Sequence, residues 1–179
     1  MGAIRRWLMK SEPQECGIAD LEREGSVLWT GVRNYQARNF MRDAMRPGDL
    51  VLFYHSSIAL PGVAGVGRVA GGAVPDPTQF DRASPYFESR ARPGSPVWMA
   101  AEIAFVEAFP RLVTLGALRA EPLLRGMLLL QRGQRLSVEP VAAALDFLNR
   151  LATASPPIRV RLPVSIALDE YRLSIVDAR

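Results

Sequence analysis

Arg46-Pro47-Gly48-Asp49-Leu50-Val51-Leu52-Phe53-Tyr54-His55-Ser56-Ser57 holds the clearest turn-to-strand transition in the chain. Pro-Gly-Asp is turn chemistry, and the dense apolar and aromatic run after it has the length and composition of a strand. With no polar alternate, Leu50–Tyr54 is predicted as a central strand, and His55-Ser56-Ser57 as the polar mouth at its end. Upstream of the turn, Ala37, Phe40, Met41, Ala44 and Met45 recur at three- and four-residue intervals. That spacing buries one helical face and predicts a helix from Gln36 to Ala44.

Further out, Trp7-Leu8-Met9 reads as a first strand closed by Lys10-Ser11-Glu12-Pro13, because proline disfavours helical geometry in the residue before it. A short helix around Ile18 and Leu21 precedes Gly25, and Val27-Leu28-Trp29 forms a second strand with Trp29 at its end. Gly65 and Gly67 lie in a further strand where a bulge or close backbone approach is expected. Residues from about 71 to 96 are rich in Pro, Gly, Asp and Ser yet carry Phe80, Tyr86 and Phe87, the composition of a functional loop. Val97–Phe109 predicts a long buried strand, and Leu112–Leu118 and Pro122–Leu130 predict short helices. Pro140 is placed as the first residue of a helix through Val141, Leu145, Leu148 and Leu151. Strands and short helices without regular β–α alternation exclude a doubly wound sheet and predict an α+β fold, a mixed, bent sheet or small barrel with peripheral helices.

The chain has 179 residues, 49% apolar and 22% charged, enough for one sizeable core. One domain is expected over residues 1–151, with 152–179 an extension and not an independent domain. Lys and Arg total 22 against 18 Asp and Glu, and Lys10 is the only lysine. That bias suits phosphate recognition, but it also accompanies the Ala-, Gly- and Pro-rich composition of a GC-rich genome. Cys16 is alone, so no intrachain disulfide forms and a reducing, cytoplasmic setting is predicted. The run Trp7-Leu8-Met9 is broken at once by Lys10-Ser11-Glu12, too short for a signal peptide, and Met127–Leu130 is far short of a membrane span.

The chain carries little that resembles catalytic machinery. Gly62, Gly65 and Gly67 lack the Lys-Ser/Thr ending of a phosphate loop. One Cys and one His make no zinc site, so neither metal nor cofactor is predicted. His55 is read as a hydrogen-bonding wall residue in preference to a general base. What stands out is Trp29-Thr30-Gly31-Val32-Arg33-Asn34-Tyr35-Gln36-Ala37-Arg38-Asn39. A strand-end Trp, a Gly and a polar approach to a helix can hold a flat heterocycle by stacking and edge hydrogen bonds. The same residues also read as a core Trp29 and a helix-capping Asn34.

This segment, with Trp7-Leu8-Met9-Lys10-Ser11-Glu12-Pro13, Pro47-Gly48-Asp49, Phe53-Tyr54-His55-Ser56, Gly62-Val63-Ala64-Gly65, Gln79-Phe80-Asp81, Pro96-Val97-Trp98 and Arg135-Leu136-Ser137-Val138, resembles the EVE domain family. The resemblance implies a PUA-like fold related to the YTH readers of methylated adenine. It implies a non-catalytic module for a modified base, foremost modified cytosine in DNA, with an RNA-binding PUA-like module as the alternative and an enzyme on nucleobases or RNA behind both. It places Trp29 as the stacking wall, with Lys10, Ser11, Thr30, Asn34, His55 and Ser56 around the mouth and Gly31, Val32 and Tyr35 in the same motif. Trp98 or an aromatic of the 80–87 loop would be the opposing wall, and Arg33 and Arg38 the phosphate contacts. Glu139 departs from the Gln that the family often has before the proline.

Overall fold

The computed structural model describes residues 4–134 and 136–141. Its frame is a sheet of seven strands: β1 (Arg6–Ser11), β2 (Ser26–Trp29), β3 (Leu50–His55), β4 (Gly62–Val69), β5 (Val74–Pro75), β6 (Met99–Thr114) and β7 (Val138–Pro140). The order is β2-β6-β4-β3-β1-β7, with β5 also on β6. β1 and β3 run parallel and every other pair is antiparallel, so the sheet is mixed, as the sequence predicts. Four short helices pack around it: α1 (Pro13–Cys16), α2 (Ile18–Glu24), α3 (Tyr35–Asn39) and α4 (Leu115–Ala120).

The unbroken apolar run of β3 is explained by its place in the middle of the sheet. Val51 and Phe53 face one core with Trp7, Met9, Trp29 and Met41, whereas Leu52 and Tyr54 face a second with Leu8, Val63 and Leu118. The turn before β3 is pinned by the buried Asp49 carboxylate, which accepts from Trp7 Nε1 at 2.9 Å and from the backbone N–H groups of Arg5 and Arg46 at 3.0 Å each. Such charge-assisted bonds explain how an aspartate tolerates burial.

The predicted helix from Gln36 is present but changes pitch: α3 continues into a π-helical turn at Phe40–Ala44, closed by Met45 N–H to Phe40 O at 2.8 Å. Phe40 lies 5.8 Å from the Trp7 ring. β4 carries irregularities at Val63/Gly65 and Val66/Gly67. A Cβ on Gly65 would stand 2.3 Å from Glu107 O, so the close backbone approach inferred from sequence is real.

Three expectations are corrected. The strand predicted from Val97 begins at Met99. Leu112–Thr114 belongs to β6 and not to a helix, because Val113 and Thr114 pair with Val63 and Gly62, and α4 starts only at Leu115. Long-range pairing here overrides a helix-compatible local pattern. Pro140 ends β7 opposite Trp7 in place of opening a helix. β7 is the sheet's edge, where a residue without an N–H is tolerated. The predicted helix beyond Val141 and the strand-like segment at 158–162 lie outside the described residues.

Candidate functional site

β2 ends on Trp29, paired with Ala101. Its ring makes an edge contact with Phe53 at 5.2 Å and is 8% exposed. Beyond it the chain reverses at Gly31, whose φ of +77° falls in the left-handed region that glycine occupies freely. The Tyr86 ring lies against the same residue, so a Cβ on Gly31 would come within 2.9 Å of Tyr86 Cζ. Glycine is therefore required here both for backbone conformation and for contact.

Trp29, Gly31 and Tyr86 line one cavity of about 640 Å³, together with Lys10, Ser11 and Ser56 from the ends of β1 and β3. Thr30, Val32, Glu12, Glu15 and Cys16 complete most of its wall. Trp29 thus satisfies both sequence readings, as part of the core and as the cavity's wall. The other aromatic in its lining is Tyr86, from the loop that the sequence marked as functional, and Trp98 is not among the lining residues.

That loop is held by buried polar groups. Asp76 Oδ2 accepts from Gly31 N–H at 2.9 Å and from Arg33 Nη1 at 2.8 Å, and Oδ1 accepts from Thr78 N–H at 2.8 Å. Burial would raise the Asp76 pKa, but the bonds from Arg33, Thr78 and Gly31 outweigh it and hold the carboxyl below its usual range. Arg33 also donates to the Tyr86 carbonyl through Nε at 3.2 Å and through Nη2, so it clamps the tyrosine's backbone in place. The Gln79 amide bonds four backbone groups, donating to Asp76 O and Trp98 O at 2.8 Å and accepting from Val97 N–H and Trp98 N–H at 2.9 Å.

Several predicted residues are placed elsewhere. Asn34 caps α3, its Oδ1 accepting from Gln36 N–H at 2.9 Å and Ala37 N–H at 3.0 Å, the alternative already open in the sequence. Tyr35 stacks on buried Trp98 at 4.8 Å, outside the cavity. Arg33 and Arg38 are committed internally: Arg38 donates to Val97 O at 3.0 Å and to the Asn39 side-chain Oδ1 at 2.7 Å, and its guanidinium lies 4.8 Å from the Tyr35 ring. Neither presents a free fork to a phosphate. His55 stands behind the wall, where Nε2 accepts from Ile18 N–H at 3.0 Å. Burial lowers its pKa, partly offset by Asp20, which agrees with a neutral acceptor ring.

The sequence reading missed Tyr86 as a specific wall, and Asp76, Gln79 and Glu15. Asp76-Pro77-Thr78 is a recognisable Asx turn, and Asp76 Oδ1 does accept from Thr78 N–H, so that signal was available. Glu15 accepts from the Tyr86 hydroxyl at 3.3 Å. Burial, reinforced by Asp20, pushes the Cys16 thiol pKa up. His55 Nε2 is taken up by Ile18 N–H, and the surroundings of Cys16 disfavour its thiolate, the nucleophilic form. Among the described residues no group of His, Cys, Asp or Glu is disposed to hold a metal ion. No helix among them is long and apolar enough to cross a membrane.

The EVE domain model matches residues 5–147. The chain belongs to the EVE domain family. Human thymocyte nuclear protein 1 is 35% identical over 170 residues, covering 84% of this chain and 75% of that protein. The solved structure of human THYN1 in complex with 5-methylcytosine-containing DNA superposes with a TM-score of 0.78, covering 85% of this chain and 99% of that one at 35% identity. A protein of Pseudomonas syringae is 48% identical, covers 77% of this chain and 92% of its own, and has a TM-score of 0.75. The mixed sheet described above is therefore the EVE, PUA-like fold, and the cavity lined by Trp29 and Tyr86 is a feature of this EVE domain.

Proposed function

We propose that this EVE domain is a non-catalytic reader that takes a modified cytosine of DNA into the cavity between Trp29 and Tyr86. The observation that carries the reading is that two aromatic side chains, Trp29 and Tyr86, line one cavity of about 640 Å³, large enough for a nucleobase. The human relative solved with 5-methylcytosine-containing DNA supports the choice of ligand. Stacking contributes about 1–3 kcal/mol per base, comparable to the cost of unpairing one, so an unpaired or mismatched target is bound better than a perfect duplex. The base-reading unit is residues 1–151, the segment 152–179 is dispensable for it, and the lone Cys16 suits a reducing, cytoplasmic setting.

Matched oligonucleotides with and without 5-methylcytosine, as DNA and as RNA, are to be titrated at one stated salt concentration, because affinity depends steeply on salt. Tighter binding of methylated DNA, with the oligonucleotide recovered chemically unchanged, is the expected result. Equal affinity for modified and unmodified DNA defeats the reading, and preference for RNA whatever its methylation makes the domain an RNA module.

A further inference from the structure

A second cavity, of about 450 Å³, lies on the other side of the sheet. The alternation of β1 explains the separation. Trp7 and Met9 face the core that contains Trp29, whereas Leu8 faces the core that contains Tyr54, and Lys10, two residues on, extends on Leu8's side. There it pairs in register with Tyr54 of β3. Arg119 of α4 and Arg132 of the following loop also line this cavity.

The charge in this cavity is lopsided. Its cations are Lys10, Arg119 and Arg132, and beside them among the described residues stands the carboxylate of Glu139, whose Oε2 lies 3.8 Å from Lys10 Nζ. Glu139 is fully buried, its Oε1 accepts from Leu129 N–H at 2.6 Å, and Oε2 has no hydrogen bond. At that distance the pair is an incomplete ion pair. The Lys10 side chain is 15% exposed, and its ammonium has no anion within close hydrogen-bond distance. Among the described residues Arg119 and Arg132 have no acidic partner, and the Tyr54 hydroxyl has no hydrogen bond. Burial lowers the Lys10 pKa against the pull of Glu139, and it raises those of Glu139 and Tyr54. A bound anion would relieve the first of these.

We propose that this cavity holds a phosphate group, gripped by the Lys10 ammonium, the Arg119 and Arg132 guanidinium groups and the Tyr54 hydroxyl, and that its source is the backbone of the nucleic acid whose base enters the first cavity. The second half rests on the proposed function. Lys10 supports it, because this residue lines both cavities, so the end of β1 separates a base site from a cationic site. Arg33 and Arg38, the sequence's candidates for phosphate, are committed elsewhere, whereas among the described residues Arg119 and Arg132 have no acidic partner. Arginine forks and a lysine point charge suit a phosphate's several oxygens, and neutralising it releases counterions from the strand.

The test uses the double variant Arg119→Ala with Arg132→Ala, both exposed positions, in the full chain, with its melting temperature checked against the parent. Affinity for methylated and unmethylated DNA is measured across a salt series. We expect both affinities to fall roughly tenfold, the methylated-to-unmethylated ratio to hold, and the slope of log affinity against log salt to drop by about one. Tyr54→Phe, which keeps the ring packed, gives a smaller fall in the same direction. Unchanged affinity and slope in the double variant overturn the proposal. A fall in affinity with no methyl discrimination in the parent keeps the phosphate site and defeats the base reading, and a parent that holds no oligonucleotide overturns both. Inorganic phosphate serves as a separate probe. If the parent binds it and the double variant does not, while oligonucleotide affinity stays the same, the cavity serves a free phosphate and the backbone assignment is overturned.

Discussion

The two aromatic walls of the cavity proposed for the base are built by different physics. Trp29 sits on a strand, buried in the larger core, and its position follows from sheet register and its edge contact with Phe53. Tyr86 sits on an irregular loop, half-buried, and its position follows from Asp76, Arg33 and Gln79. One wall is held by apolar packing, which is non-directional and tolerant of small shifts. The other is held by directional hydrogen bonds among buried groups, where the loss of one partner strands another. A site built this way can change its loop wall without rebuilding its sheet wall.

The sharpest test of the difference is Trp29→Ala. It removes core packing and a stacking face together, so stability falls by about 3–5 kcal/mol, the usual cost for a buried aromatic. Ligand affinity falls with it, read by melting temperature and titration on the same sample. A drop in affinity with an unchanged melting point would show that the ring's core contacts contribute little.

Asp76→Ala comes next. It leaves Arg33 unpaired beside two backbone donors that have lost their acceptor, at a cost of about 3 kcal/mol. Tyr86 is released from its place, so affinity falls although Asp76 is not a cavity wall. If Asp76→Ala keeps full affinity, the polar clamp does not position that wall.

Tyr86→Leu separates the walls most cleanly. Affinity should weaken by about 1–3 kcal/mol through lost stacking. Because Tyr86 is half-buried at the surface, the melting temperature should move little, in contrast to Trp29→Ala. A large stability loss would make the loop wall as much a core element as the strand wall.

The smallest expected effect is on pH. The pKa of His55 is lowered in the folded chain, so below about pH 6.5 the unfolded chain takes up the proton more readily. The stability from neutral His55 is complete above that pH and is lost as pH falls through the lower folded value. Protonation also removes the acceptor for Ile18 N–H. Thermal melts between about pH 7 and 5 should show this slope in the parent and less of it in His55→Gln. An equal slope in the variant assigns it to other groups.

The strands at Trp7–Met9, Val27–Trp29 and Leu50–Tyr54 and the helix from Gln36 were legible in the sequence because each is specified locally. Apolar period, Pro and Gly punctuation and strand length sit within a few residues of one another. That Trp29, Ser11 and Ser56 come together around one cavity was legible for the same reason, since they stand at the ends of well-marked strands. Leu112–Thr114 and Pro140 were misread because their strand pairing depends on partners far along the chain, Gly62 and Val63 in one case and Trp7 in the other.

The sequence by itself determined a mixed sheet, its central strand and the aromatic corner at Trp29. Only the tertiary structure decided that Tyr86 and not Trp98 joins Trp29 in one cavity lining, that Arg33 is a clamp, and that Lys10, Arg119 and Arg132 share a second cavity. The reason is physical: periodicity records which face of an element is apolar, whereas a hydrogen bond from Arg33 to Asp76 spans 43 positions and leaves no local trace.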